Sequence, residues 1–180
     1  MKKRAITIIS YGQFETGFLS KIAKEITEIY QWPVTIEERY IELSTFYDPA
    51  RRQYDANKLL REIDNSSSPD AVKTIGVFHV DIFIPIFTYI FGQAFLNGHT
   101  GIASLYRLKN ELYGIEPDNN ILLERFAKVI IHELGHAFGL KHCYTPSCVM
   151  LSSTYMEDID QKEHKLCSKC RAELSLNLPG

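Results

Sequence analysis

Five residues on one short stretch have the types and spacing of metal chemistry: His132, Glu133 and His136, then Gly139 and His142. In a helix, residues four apart lie one turn up and about 40° round, so His132 and His136 offer both imidazoles to one ion. A helix that simply continued would carry His142 to another face. Glycine takes up the left-handed conformation that ends a helix and turns the chain back, so Gly139 is expected to return His142 to the other two. Three neutral imidazoles that leave one position vacant form the ligand set of a catalytic zinc, since a structural site closes all four positions with side chains. The fourth ligand would be water, its pKa lowered towards about 7, and Glu133, next to a ligand, is placed to take its proton as general base. Attack on an amide carbonyl would follow, with Glu133 delivering the proton to the leaving amine. The short form His-Glu-x-x-His also arises as two satisfied histidines and a surface glutamate. The glycine and third histidine at fixed offsets argue against that here.

All four cysteines, Cys143, Cys148, Cys167 and Cys170, fall in the last quarter of the chain. Two short hooks, Cys143-x4-Cys148 and Cys167-x2-Cys170, are enough to wrap a tetrahedral ion with four thiolates and no open position, the mark of a structural zinc. Because Cys143 adjoins His142, fixing the cysteine should also fix the third imidazole. A redox pair at Cys167 and Cys170, or plain reduced thiols, are the alternatives. Met150 reads as packing against an apolar helix. His79, His99 and His164 have no partners at ligand spacing and read as strand, turn or surface histidines. Tyr155 reads as coincidental, and Asp158, Asp160 and Glu163 as a solvated acidic face. The stretch from Ser152 to Lys165 has few large apolar residues and is not expected to order by burial alone.

The elements around these residues follow from periodicity. Asp118, Asn119 and Asn120 offer N-caps to a helical stretch from Ile121 to Leu140 that is apolar almost all round, hence central. Upstream, Ala5 to Ser10 reads as a buried strand, Phe14 to Tyr30 as an amphipathic helix and Val34 to Leu43 as a strand. A polar helix is expected from Asp48 or Pro49 through Ile63, with Tyr54, Leu59, Leu60 and Ile63 inward. Thr74 to Phe83 reads as a third strand. Phe87 to Phe95 and Ile102 to Leu108, joined at Asn97-Gly98, read as an antiparallel hairpin. The order implies an α+β fold: a mixed twisted sheet with helices packed on it.

The 180 residues suit one domain, and 45% apolar residues with ten Phe and ten Tyr suffice for a core. Within it, residues 1–120 are expected to form sheet and supporting helices, 121–142 the zinc-binding helix and motif, and 143–175 the four-cysteine segment. A net charge of −2 leaves no basic field for nucleic acid or an anionic membrane. Lys2, Lys3 and Arg4 read as a solvated end, with too short an apolar stretch behind them for a signal peptide. No membrane span is expected. The expectation is a soluble, cytoplasmic, monomeric protein.

His132-Glu133-x-x-His136-x-x-Gly139-x-x-His142 resembles the metzincin zinc-peptidase consensus, with Met150 similar to the methionine of that clan's Met-turn. The cysteines that follow, together with Phe91-Gly92-Gln93-Ala94 and Ser104-Leu105-Tyr106-Arg107-Leu108, resemble the archaemetzincin family over about residues 75 to 175. The resemblance implies a small metallopeptidase fold with a cleft beside the zinc. It also implies a catalytic zinc on His132, His136 and His142, a base at Glu133 and a second zinc on the four cysteines. In that frame Met150 is a hydrophobic floor, Asp160-x-Lys162 echoes the family, and Phe87 to Gly98 or its hairpin partner forms the edge to which an extended peptide adds. The expected partner is a peptide or protein substrate, and endo- and aminopeptidase both remain open. The rival function is a zinc-stabilised binding or regulatory module whose hydrolytic site is latent.

Overall fold

The computed structural model describes residues 4–178; Lys2 and Lys3 lie outside them, and Arg4 is exposed. A five-stranded sheet has the order β2-β1-β5-β8-β7. It is built from β1 (Ile6–Ser10), β2 (Val34–Glu38), β5 (Lys73–Phe78), β7 (Gly92–Ala94) and β8 (Thr100–Ser104). Four strands are parallel and β7 runs antiparallel to β8 at one edge. Helices α1 (Phe18–Tyr30) and α3 (Asn119–Ala137) share one cluster of buried side chains with Ile6, Ile8, Ile75 and Val77. Helix α2 (Ala56–Ser66) shares a second cluster with Ile9, Phe78 and Ile102. Successive side chains of a strand point to opposite faces, so adjacent Ile8 and Ile9 feed separate cores and β1 must be apolar throughout.

The expected helix from Asp48 or Pro49 is replaced at its start by a hairpin, β3 (Tyr47–Asp48) and β4 (Gln53–Asp55). The Asp48 carboxylate accepts from the backbone N–H of Ala50 (2.9 Å) and Arg51 (3.1 Å), and Arg52 is left-handed at φ 56°. An Asx turn therefore wins over helix initiation there, and Asp55 caps the real helix by accepting from Lys58 N–H. Tyr54 consequently lies in β4, paired with Tyr47 and Ile82 rather than on a helix face. The expected strand Thr74 to Phe83 is split into β5 and β6 (Ile82–Phe83), the latter pairing with β4 in a small second sheet. Strand β2 stops at Glu38, short of Leu43.

The hairpin at Asn97-Gly98 forms as expected, with Asn97 at φ 52° and Phe95 N–H bonded to Thr100 O. Its arms are shorter than the apolar runs, because Ile84 to Ile90 loops out and the chain leaves β8 after Ser104. Two further helices, α4 (Met156–Gln161) and α5 (Ser168–Asn177), occupy the tail that composition left unassigned. No helix among the described residues is long and apolar enough to cross a membrane.

Candidate metal centre

Helix α3 starts where its cap residue requires: Asp118 accepts from the N–H of Asn120 and Ile121. From Arg125 onward nearly every residue is buried, as expected for a helix crossing under the sheet next to β7 and β8. It stops at Ala137 rather than running on to Leu140. Gly139 sits at φ 95°, its N–H bonded to His136 O, while Leu140 N–H reaches Gly135 O, both at 2.9 Å. These two bonds form the Schellman pair, which closes a helix through one left-handed residue. The reversal brings His142 back: its ring centroid lies 5.3 Å from that of His132 and 4.8 Å from that of His136.

The three histidines hold ligand nitrogens within 4.8 Å of one another. His132 Nδ1 lies 2.8 Å from Val149 O and His136 Nδ1 2.7 Å from Leu140 O. A carbonyl can only accept, so both rings carry their proton on Nδ1 and leave Nε2 as a lone pair. Those two Nε2 atoms stand 3.0 Å apart. Two lone pairs facing at that distance repel unless a cation lies between them, so the donor set fits a zinc ion. Burial holds all three imidazoles below the usual histidine range, which keeps them neutral.

Glu133 is buried at 7% exposure in the same cleft. Burial pushes its carboxyl up to about 8, against the pull of the Lys162 ammonium. Gly92 of the edge strand lies directly over it. A Cβ there would come within 2.7 Å of Glu133 Cγ and 2.8 Å of Ile102 O, so glycine alone lets β7 approach the carboxylate. Met150 is fully buried beneath the helix, and a Cβ on Gly135 would collide with its sulfur. The variable position Gly135 inside the histidine motif thus makes room for the methionine, a complementarity the motif itself does not announce.

Cys143, Cys148, Cys167 and Cys170 form the second cluster, their sulfurs within 4.8 Å of one another. Cys143 Sγ and Cys167 Sγ are 3.7 Å apart, close to the edge of about 3.8 Å of a tetrahedron with metal–sulfur bonds of about 2.3 Å. Backbone N–H groups of Thr145, Cys167 and Cys170 point at three of the sulfurs, as thiolates require. The Cys170 N–H at the head of α5 draws the Cys167 thiol down to about 6. The cluster is tied to the first: Cys143 N–H bonds Met150 O, next to the Val149 carbonyl that orients His132.

Three residues of the tail have parts that the sequence reading missed. Asp160, read as solvated, takes both Nε and Nη2 of buried Arg125 at 2.7 Å and ties α4 to α3. Asp158 accepts from Thr154 and Tyr155 N–H at the start of α4. Lys162, given no role of its own by the sequence, is 4% exposed with its Nζ on Leu151 O. The Asp160-x-Lys162 pattern was the only signal of this. His79, His99 and His164 lie outside both clusters, and Tyr155 is exposed at 62%.

The cleft over the histidines encloses about 320 Å³ between the edge-strand side, Ile84 to Ala94, and the tail side, Ser152 to Thr154 with Lys162. Strand β7 is therefore the sheet edge facing it, which decides between the two arms of the hairpin.

Comparison with known proteins agrees with this geometry. The family model described as Peptidase family M54 matches residues 12–176. The archaemetzincin of Pyrococcus abyssi is 37% identical over 96% of this chain and 95% of its own length. That of Pyrococcus horikoshii is 40% identical over 77% and 76%. Among solved structures, a zinc-dependent peptidase from Methanocorpusculum labreanum superposes with a TM-score of 0.86 at 29% identity, covering 94% of this chain and 100% of that one. The archaemetzincin of Methanopyrus kandleri gives 0.85 at 28% identity, covering 98% and 96%. Carrying both clusters on this fold, the chain belongs to peptidase family M54, the archaemetzincins.

Proposed function

We propose that this metallopeptidase hydrolyses peptide bonds at a zinc held by His132, His136 and His142, with Glu133 as general base. The observation that carries the reading is the pair of imidazoles locked by Val149 O and Leu140 O so that bare Nε2 atoms converge beside a buried carboxylate. Zinc on these rings supplies Lewis acidity towards a peptide carbonyl and makes a water molecule acidic near neutral pH. Glu133 takes the proton of that water and passes it to the departing amine. Gly92 keeps the edge strand close enough to exclude bulk solvent from the carboxylate, and Gly139 and Met150 hold the histidine frame. An extended peptide lies along β7, using its free backbone edge. Cys143, Cys148, Cys167 and Cys170 would hold a second, structural zinc. The whole chain acts as one domain, and a monomer suffices because every ligand comes from one chain. The cytoplasm, where thiols stay reduced, suits its four unpaired cysteines.

The test is Glu133→Ala in zinc-loaded protein against a broad peptide library. Both metals stay bound and cleavage falls by about a thousandfold, within the range for loss of a general base. Undiminished cleavage removes Glu133 from the mechanism.

A further inference from the structure

Three basic side chains are buried around α4, and they are not equivalent. Arg125 is neutralised by Asp160 and further bonded to Leu108 O and Asn110 Oδ1. Lys128 gives its Nζ to Ile159 O and is not part of the cleft wall. Lys162 is different. It lines the cleft together with Glu133 and the three histidines, is 4% exposed, and has one carbonyl, Leu151 O at 2.8 Å, for three N–H donors. Among the described residues no carboxylate comes within ion-pairing distance of it. A buried ammonium left in this state is unfavourable unless an anion completes its shell. The same wall carries a second unfilled group: the Ser153 hydroxyl is buried without a hydrogen-bond partner.

Resting on the peptidase reading above, we infer that Lys162, assisted by Ser153, is a catalytic residue that binds an anionic oxygen of the peptide in the cleft. During hydrolysis the water oxygen bonds to the carbonyl carbon, the C=O π electrons move onto the carbonyl oxygen, and one water proton goes to Glu133. The oxygen that gains the charge is the one Lys162 and Ser153 receive. Collapse reforms the carbonyl, breaks the C–N bond and sends the amine away with the proton from Glu133. Donors fixed in a buried site favour the charged state over the neutral substrate, which is what lowers a barrier. A free C-terminal carboxylate offers the same chemistry from another source.

The test measures calorimetric binding to zinc-loaded protein of three probes: a blocked phosphinic tetrapeptide, which carries the tetrahedral anion, a blocked neutral hydroxamate peptide and a peptide with a free C-terminus. The variants are Lys162→Met, Lys162→Arg and Ser153→Ala, each with melting temperature and zinc content recorded. The expected result is that Lys162→Met weakens the phosphinate by about a hundredfold, the size of losing one oxyanion donor. The hydroxamate, zinc content and fold are kept, Lys162→Arg recovers part of the loss, and kcat falls with KM little changed. Selective loss of the free-carboxylate peptide instead assigns the same ammonium to C-terminal capture and makes the enzyme a carboxypeptidase. Equal phosphinate binding by wild type and Lys162→Met, or equal weakening of all three probes with loss of zinc, makes Lys162 merely structural and overturns the inference while leaving the peptidase reading in place. Failure of wild type to bind the phosphinate or hydroxamate and to cleave any peptide sinks that reading and this one with it.

Discussion

Gly92 and Glu133 show how finely the centre depends on single atoms. The carboxylate occupies the space that a side chain at position 92 would need, so Gly92→Ala must displace either Glu133 or the edge strand. Overpacking of that kind costs about 1–3 kcal/mol. The expected outcome is a lower melting temperature together with a drop in peptide cleavage greater than the drop in zinc content; retained activity would show that β7 moves freely. His79 offers a test by pH. It packs against Phe14 with ring centroids 4.1 Å apart and planes tilted by 36°, and burial, aided by Lys109, holds its pKa below the ordinary value of 6.5. The folded state thus resists a proton that the unfolded chain accepts from 6.5 downward. Stability from this group is therefore complete above 6.5 and falls as pH drops towards the lowered value. Between about pH 7 and about pH 5, wild type should lose more melting temperature than His79→Phe; equal losses would show the imidazole to be indifferent.

At the level of elements, the end of α3 decides whether the third histidine belongs to the site. Gly139 is left-handed, and a Cβ there would also press on Asn177 and Asn97 at 3.0 and 3.3 Å. Gly139→Ala should cost about 1–2 kcal/mol for the left-handed backbone. Because the strain sits between His136 and His142, weaker zinc binding at the histidines should accompany it, measurable by chelator competition. The four-cysteine zinc would be retained. Equal weakening at both clusters would mean that the tail, not the Schellman turn, places His142. The tail is no passive appendage: α4 is bound to α3 through Arg125 and Asp160, and α5 begins on Cys167, whose sulfur accepts from Cys170 N–H.

For the molecule as a whole, two layers meet at the cleft, a sheet with an apolar core on each face and a tail organised by four sulfurs that packs into one of them. The sheet layer has no thiol and buries apolar side chains on both faces; the first core also takes in Cys143, Val149, Met150, Ile159 and Leu174 of the tail, but the second, under α2, takes in none and is a source of stability independent of metal. Cys167→Ser should therefore release one zinc and open the region from Cys143 to Leu178 to protease while the sheet layer stays protected. Graded chelation should do the same in two steps. A single cooperative loss of all structure on removing the tail metal would refute this division. Activity should vanish in the first step even where the histidine zinc remains, because the Val149 carbonyl that orients His132 lies within the cysteine segment.

The grouping of three histidines and of four cysteines, the closing glycine, the central helix and the hairpin at Asn97-Gly98 were all legible in the chain, because each is a matter of local spacing: helical pitch, a left-handed residue, a two-residue turn. What remained hidden depended on contacts distant in sequence. Tyr54 joins a strand rather than a helix face because it has a partner in Ile82, and Lys162 is buried where α4 packs on α3. Which hairpin arm is the edge, why Gly135 must be small and which carbonyl fixes the His132 proton depend on pairs 15 or more residues apart, whereas the Leu140 carbonyl that fixes the His136 proton is local. Local geometry follows from the order of residue types, whereas burial and partnership arise only once the chain has closed on itself.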